Sequence, residues 1–391
     1  MTEVDATPTS ARALAPDLAR GAMLLLIALA NVHLWTYGHP LGPRGYPRDL
    51  PGADQVVALV QMVLVDGRAY PMFGLLLGYG TGQLARRRAA GGEAPDATVS
   101  LVRRRGAWML VIGLVHGVLL WSGDIVGAYG LLGVLLAGLL VRGSERALLR
   151  VAVVGTVLTG LFYAGSGFTL PGDPQAFLFS MSVADPGAAL VSRATEWLTI
   201  GLLLQAFGVF GAVALGAWAA RRGFLDDPAR HRPLLRRTAV VGVALAVVGG
   251  LPLALMAAQL WTSPPLAAVA VAGTLHTLGG YAGGVGYAAA FGLLAVRAGS
   301  GGGRFVRALR SCGQRSLSCY LAQSVAFAAL LPAWTLGLGG KAHLWQTALL
   351  GAGVWLVVLV VAAATARAGH RGPAEVLLRR LTYRNRAVSR T

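Results

Sequence analysis

Long apolar stretches recur along the whole chain, and each is about as long as a helix that crosses a lipid bilayer. The hydrocarbon core of a bilayer is about 30 Å thick, so a spanning helix needs about 20 apolar residues. The predicted spans are 18–38, 54–82, 105–121, 124–141, 149–168, 196–219, 236–260, 266–295, 314–337 and 344–366. This pattern predicts an all-α, polytopic membrane protein with about ten transmembrane helices.

The spans divide the chain into three predicted regions. Residues 1–15 contain no apolar run and are predicted to be a disordered cytoplasmic tail. Residues 16–367 form the predicted transmembrane domain, and residues 368–391 a basic cytoplasmic segment. No cleavable signal peptide is expected, because Arg20 and Gly21 lead into a full-length span without a small-residue cleavage pattern.

The composition excludes several other classes of protein. Apolar residues make up 55% of the chain and charged residues only 13%, against about 25% charged residues in soluble domains. An ordinary soluble enzyme is therefore excluded, and so is a disordered chain, which needs low hydrophobicity. With only two cysteines, Cys312 and Cys319, the chain is not a disulfide-stabilised scaffold.

The positions of the basic residues predict the orientation in the membrane. The formal net charge is +18, from 34 basic and 16 acidic residues. If the N-terminus is cytoplasmic, 29 of the 34 basic residues fall in inner segments. Such a bias marks cytoplasmic loops, so we predict that both termini are cytoplasmic, in a bacterial cytoplasmic (inner) membrane. The same placement argues against nucleic acid as a partner and makes the lipid bilayer the expected one.

Ionisable side chains within or beside the spans are functional candidates, because burying them in a membrane is costly. The candidates are His33, His39, His116, His276, Asp66, Arg68 and Asp124. We expect them to converge on one cavity that opens to the outer face. The alternative is that each histidine is a structural hydrogen-bonding group between helices. No metal-binding spacing is present, so no metal is expected.

Two clusters of arginines in an inner segment have two interpretations. They comprise Arg86, Arg87, Arg88, Arg103, Arg104 and Arg105. The first interpretation is that they set the topology and contact anionic lipid headgroups. The second is a clamp for the phosphates of a nucleotide-containing donor, because the planar guanidinium group suits phosphate.

Five motifs, in order along the chain, resemble those of YeiB-like bacterial membrane proteins. Residues 17–22, followed by Asn31, resemble the DxxRGxA…N start, and residues 73–80 the FxxLFGxG signature, with Leu77 in place of Phe. Residues 113–125 match GxxHxxLxxxGDI. Residues 316–324 resemble the NYLxQS element, with Cys319 in place of Asn, and residues 372–383 the closing GPxEWLxRRLTY.

This resemblance implies a fold and an activity. The first two helices of the family are similar to those of transmembrane acyltransferases, among them heparan-alpha-glucosaminide N-acetyltransferase. The implied reaction moves an acyl group from cytoplasmic acyl-CoA, a co-substrate, to a hydroxyl or amine acceptor at the outer face. The acceptor would be a small molecule or a glycan, and a homodimer is left open.

The resemblance also suggests roles for individual residues. His116 lies in the family's own motif and is the first choice for the general base, with Asp124 as its orienting partner or an acceptor-binding residue. His39 and His33 lie in the region where the heparan enzyme has its histidine. The predicted substrate-binding residues are Arg20, Asn31, Asp66, Arg68, Tyr129, His276 and Gln323.

Two other functions remain open at this point. In a proton-coupled transporter or exporter of small molecules, the histidines and Asp124 would carry protons. Many transporters contain internal repeats, and no convincing repeat relates the first five spans to the last five. A non-catalytic scaffold is the third alternative, although a scaffold has no need of buried polar residues.

Overall fold

The computed structural model describes residues 13–168, 174–299 and 302–383. These residues form helices joined by short loops, and no β-strand occurs among them. The prediction of an all-helical membrane protein is therefore confirmed. The predicted disordered tail lies outside the described residues except at its end, where Leu14 and Ala15 already belong to the first helix.

The first seven helices occupy the N-terminal part of the chain. They are α1 (Leu14–Val32), α2 (Gly52–Leu64), α3 (Ala69–Ala90), α4 (Pro95–Leu119), α5 (Val126–Leu135), α6 (Ala137–Arg142) and α7 (Glu145–Phe162). The hairpin predicted from spans three and four is formed by α4 and α5, with residues 120–125 as the connection. The loop 36–51 between α1 and α2 lies at the opposite end of the bundle from the arginine clusters.

The other helices follow the loop after α7. They are α8 (Pro186–Glu196), α9 (Gln205–Arg221), α10 (Arg232–Ala257), α11 (Leu266–Ala298), α12 (Arg304–Gly313), α13 (Ser316–Leu330), α14 (Leu344–Arg367) and α15 (Pro373–Tyr383). A π-helical segment, Trp197–Leu204, joins α8 to α9. Such segments are rare and are often found at functional sites.

Within the described residues, seven helical segments are long and apolar enough to cross a membrane. They are Leu14–Trp35, Gly52–Ala90, Glu145–Gly167, Pro186–Arg221, Arg232–Ala257, Leu266–Ala298 and Leu344–Arg367. The other three predicted spans coincide with α4, which contains three consecutive arginines, and with the shorter helices α5–α6 and α13. The count of ten stays a prediction.

The second predicted span is interrupted near its middle. Helix α2 ends at Leu64 and α3 begins at Ala69, so the residues between them are free to point inward. Gly67 lies in the break with a φ of +74°, a conformation that glycine adopts without steric cost. The break brings Asp66 and Arg68 into the protein interior, where both are buried.

Helices α3 and α9 approach each other through a reciprocal pair of glycines. A Cβ atom on Gly78 would overlap the carbonyl oxygen of Val213, and one on Gly216 would overlap that of Leu75. Close approach through small residues is a common way to pack helices in membranes. This contact fixes the position of α3, which contributes residues to both cavities described below.

The Gly78→Ala variant is expected to lose stability, because the backbones of α3 and α9 must separate to admit the methyl group. Overpacking of this kind costs about 1–3 kcal/mol, and thermal unfolding of the purified protein measures it. Gly353→Ala on α14 is the matched control, since its Cβ would meet no described atom within 4 Å. An equal fall in the unfolding temperature of both variants would contradict the assignment.

Candidate functional site

A cavity of about 490 Å³ lies among α1, the loop 36–51, α3, the π-helical segment and α11. Following the predicted orientation, we call it the outer cavity. It contains four of the residues predicted from the sequence to form a site, together with two that were not predicted. These lining residues are Asn31, His33, Asp66 and His276, with Arg44 and Tyr70.

An ion pair holds the loop 36–51 against the break between α2 and α3. The Arg44 guanidinium donates to both carboxylate oxygens of Asp66, at 2.7 and 2.9 Å. The backbone of Arg44 is left-handed, with φ 56° and ψ 27°, a strained conformation for a non-glycine residue. Burial lowers the pKa of the Arg44 guanidinium, whereas the Asp66 carboxylate and nearby tyrosines raise it, and the net shift is upward.

His33 is positioned by the same loop. Its Nε2 lies 3.4 Å from the carbonyl oxygen of Arg44, and its ring stacks on Tyr46 with the centroids 4.2 Å apart. A carbonyl oxygen only accepts hydrogen bonds, so this contact favours the neutral ring with its proton on Nε2. Burial raises the pKa of the Tyr46 hydroxyl well above its usual value. The stacking partner therefore stays uncharged.

His276 lines the outer cavity from α11, and the buried Arg68 forms a hydrogen bond with its ring. Arg68 Nη1 lies 3.0 Å from His276 Nδ1, and Arg68 also donates to the carbonyl oxygens of Asp66 and Ala246. A guanidinium group only donates, so the facing nitrogen of His276 must offer a lone pair. His276 is thus a neutral acceptor, and its position depends on Arg68.

A second cavity, of about 760 Å³, opens at the arginine-rich end of the bundle. We call it the inner cavity. Arginines from α1, α3, α4, α15 and the segments that precede α13 and α15 line it. They are Arg20, Arg87, Arg88, Arg105, Arg315, Arg371 and Arg379. The acidic lining residues are fewer, namely Asp17, Glu93 and Glu375, so the wall carries an excess of positive charge.

The two cavities approach each other end to end. On α1, Ile27 lines the inner cavity and Ala30 the outer one. On α3, Phe73 lines the inner cavity and Pro71 the outer one. With a rise of about 1.5 Å per residue, these separations correspond to about 3–5 Å along the helices. The layer between the cavities is therefore about one helical turn thick.

We call this layer the junction and define it by Asn31, Tyr70, Phe73 and Tyr129. Two of these four residues are tyrosines. The Tyr70 hydroxyl donates to Asn31 Oδ1, and the Tyr129 hydroxyl lies 3.4 Å from the carbonyl oxygen of Tyr70. The rings of Phe73 and Tyr129 stack with their centroids 6.0 Å apart. These contacts join α1, α3 and α5 between the two cavities.

His116 and Asp124 form a buried pair within the α4–α5 hairpin. His116 Nδ1 lies 2.8 Å from Asp124 Oδ1. The Asp124 carboxylate also accepts from the backbone amides of Val126 and Gly127, at 3.0 and 2.6 Å, and so caps the start of α5. Neither side chain belongs to the lining of the inner or the outer cavity. The pair joins the two helices of the hairpin, and its catalytic role stays a prediction.

The other predicted residues lie at different places. Arg20 and Tyr129 line the inner cavity, as do three of the six clustered arginines. Arg68 lies behind the wall of the outer cavity and contacts His276. The predicted residues outside both linings are His39, Gln323, Arg86, Arg103 and Arg104, in addition to His116, Asp124 and Arg68. The predicted residues are thus not gathered into one chamber.

The sequence analysis missed several lining residues, namely Arg44, Tyr70, Arg315, Arg371 and Arg379. Arg44 could have been found from the charge pattern, because it is one of the few arginines in a predicted outer segment. The three inner arginines had been counted only as topology signals. Among the described residues, no group of three or more His, Cys, Asp or Glu side chains could hold a metal ion.

The Asp124→Ala variant is expected to lose about 2–4 kcal/mol of stability, since both the helix cap and the histidine partner are removed. Asp124→Asn keeps one oxygen acceptor and should lose about half as much. Denaturant unfolding in detergent measures both losses. Because the pair lines neither cavity, the folded fraction of each variant should bind ligands normally. A stable variant with no activity would instead support the catalytic role predicted from the sequence.

Residues 219–385 match a family model described as "Protein of unknown function (DUF418)". The chain is also similar to the uncharacterized protein YxaH of Bacillus subtilis (strain 168), with 24% identity over 274 residues, which cover 63% of this chain and 67% of YxaH. It is also similar to the uncharacterized protein YeiB of Escherichia coli (strain K12), with 28% identity over 264 residues. These residues cover 60% of this chain and 62% of YeiB. The resemblance to YeiB-like proteins is confirmed.

The residues matched by this family model contribute only part of each cavity. They begin near the end of α9 and include α10 to α15. They supply His276 to the outer cavity and Arg315 and Arg371 to the inner one. The matches to the two relatives span about two thirds of the length of each.

Proposed function

We propose that this protein transfers an acyl group across a bacterial cytoplasmic membrane. The donor would be a phosphate-bearing acyl thioester, such as acyl-CoA, in the inner cavity. The acceptor would be a molecule with a hydroxyl or amine group in the outer cavity. The observation that carries the proposal is the junction, where a basic cavity and a histidine-containing cavity approach within about one helical turn.

The inner cavity has the charge that a phosphorylated donor needs. Seven arginines against three acidic residues leave an excess of positive charge in its lining. Guanidinium groups bind phosphate oxygens through paired hydrogen bonds. The cavity also extends from the arginine-rich end to Phe73 and Tyr129. A donor bound by its phosphates at the open end could direct its thioester toward the junction.

The outer cavity has a suitable general base. In the transfer, the acceptor oxygen or nitrogen forms a bond to the acyl carbon, and the bond from that carbon to sulfur breaks. The neutral His33 ring would take the proton of the acceptor through its lone pair, and the departing thiolate would finally receive that proton. His276 suits this role less well, because its lone pair faces Arg68. The Arg44–Asp66 pair would position His33 through the Arg44 carbonyl.

The test is release of free CoA by the full chain in proteoliposomes supplied with acyl-CoA and a panel of hydroxyl and amine acceptors. His33→Gln should lower the rate by about 10²–10⁴-fold, the usual contribution of a general base. His39→Gln is the control, because His39 lines neither cavity. Unchanged turnover in His33→Gln, or no acceptor-dependent CoA release by the wild-type protein, would refute the proposal.

Transport of a small molecule is the second candidate, and the thin junction favours it as well. Two cavities separated by a narrow closed layer are also the arrangement expected of a protein that exposes one site alternately to each side. Flux of the same acceptors through proteoliposomes, driven by a proton gradient and without CoA release, would support transport over transfer.

A further inference from the structure

We propose that the outer cavity binds an amphipathic molecule that enters sideways from the outer leaflet of the membrane. Its uncharged, hydrogen-bonding head would occupy the end near Asn31, His33 and Tyr70. Its alkyl tail would lie along the wall formed by α7 and the π-helical segment. That this molecule is the acceptor of the acyl group rests on the proposed function. That the outer cavity binds it does not.

The wall formed by the end of α7 and the π-helical segment is largely apolar and aromatic, although Tyr163, Ser166 and Gln205 also line this part of the cavity. Phe162 and Phe168 contribute from the end of α7 and the residues after it. Ile200 and Leu204 contribute from the π-helical segment. A lining with few polar groups at one end and apolar side chains at the other suits a ligand of the same asymmetry. A fully water-soluble ligand would leave the apolar part of the cavity unused.

This wall is continuous with the surface that faces lipid. Phe162 is 58% exposed although it lines the cavity, and it follows an exposed apolar stripe on α7. That stripe consists of Val153, Val154, Val157, Leu158 and Leu161. Phe162 packs edge-on against Phe207 of α9, with ring centroids 5.0 Å apart. An aromatic side chain that belongs to both surfaces marks the boundary between cavity and membrane.

The π-helical segment also contributes side chains both to the outer surface and to the cavity. Leu203 is 55% exposed, whereas the next residue, Leu204, lines the cavity. The widened turn therefore places one leucine toward lipid and its neighbour toward the ligand space. On this side of the cavity, apolar side chains of neighbouring residues thus face the ligand space and the outer surface of the protein. A tail could pass here without leaving an apolar environment.

The charges at the polar end predict the nature of the head. Arg44 and Asp66 neutralise each other in a two-bond ion pair. The other polar groups of the lining are uncharged, and they include the Asn31 amide, the Tyr70 hydroxyl and His276, which accepts from Arg68. Hydroxyl or amide groups, as in a sugar, fit such a site better than a phosphate does. The inner cavity differs, because its arginines suit an anion.

The test uses decyl glucoside with a photoactivatable diazirine in its tail, added to the full chain in phosphatidylcholine nanodiscs without acyl donor. After irradiation, labelled residues are located by peptide mass spectrometry. We expect labelling to concentrate in 162–168 and 200–208. Excess decyl glucoside should lower it by about tenfold, whereas methyl glucoside should hardly change it, because each buried methylene adds to affinity.

Two neighbouring variants separate specific binding from contact with bulk lipid. Leu204→Trp fills the cavity and should lower labelling by about tenfold, whereas Leu203→Trp points to lipid and should leave it unchanged. Labelling spread evenly over lipid-facing helices, equal competition by methyl glucoside, or equal effects of the two variants would overturn the inference. Since no donor is present, failure of acyl transfer with intact labelling would count against the proposed function alone.

Discussion

The Asp66→Asn variant is expected to lose about 3–5 kcal/mol of unfolding free energy, because removing one charge of a buried pair leaves its partner uncompensated. The Arg44 guanidinium would keep its charge, because arginine is not deprotonated in proteins. Thermal and denaturant unfolding of the purified protein in detergent measure the loss. The effect should be among the largest of any single substitution at the break between α2 and α3.

An exposed ion pair provides the control for this prediction. Arg142 donates to Asp96 at 2.6 Å, but both side chains are more than half exposed. Exposed pairs contribute about 0–1 kcal/mol, so Asp96→Asn should change stability little. Equal losses in the two variants would show that the Arg44–Asp66 pair is not buried in the membrane protein.

Replacing both members of the pair separates stability from function. The double variant Arg44→Met, Asp66→Leu should recover most of the stability lost in Asp66→Asn, because apolar residues of similar size often replace a buried pair without cost. His33 would nevertheless lose the fixed carbonyl of Arg44. We therefore expect a folded protein with impaired transfer. Full activity in the double variant would exclude a positioning role for the pair.

The second large effect is expected in the inner cavity, where Arg105→Glu should weaken binding of CoA by about 10–100-fold. This range corresponds to about 1.5–3 kcal/mol for a hydrogen bond between charged groups. Isothermal titration with CoA measures the change, and raising the salt concentration should weaken wild-type binding because ions screen exposed charges.

Arg103 offers a matched control two residues earlier on α4. It is exposed but does not line the inner cavity. Arg103→Glu changes the net charge by the same amount, so it corrects for the general loss of positive potential. If both variants weaken binding equally, the arginines act only through their overall charge, and the inner cavity is not the binding site.

The helical class could be predicted from the sequence because apolar runs of bilayer length allow few other structures. The break between α2 and α3 could not, because hydropathy averages over a window and hides a single turn. The local signal was nevertheless present, since Asp66, Gly67 and Arg68 combine two charges with a helix-breaking residue.

The site could be predicted in part, and the difference lies in long-range packing. Contact between His116 and Asp124 followed from the tight connection between α4 and α5. The direction in which the pair faces depends on other helices, such as α13, whose Tyr320 ring lies 5.1 Å from that of His116. The pairing of Arg44 with Asp66 likewise joins a loop to a helix break, and no periodicity in the sequence links the two.

The thinness of the junction has an electrical consequence. If water and ions fill both cavities, they conduct, and the voltage across the membrane falls almost wholly over the few ångströms between them. A full elementary charge moved through that layer would then gain or lose about 2.3 kcal/mol for every 100 mV. The hydroxyls of Tyr70 and Tyr129 lie in this concentrated field. A charged group that crosses the junction would therefore respond to the energised state of the cell.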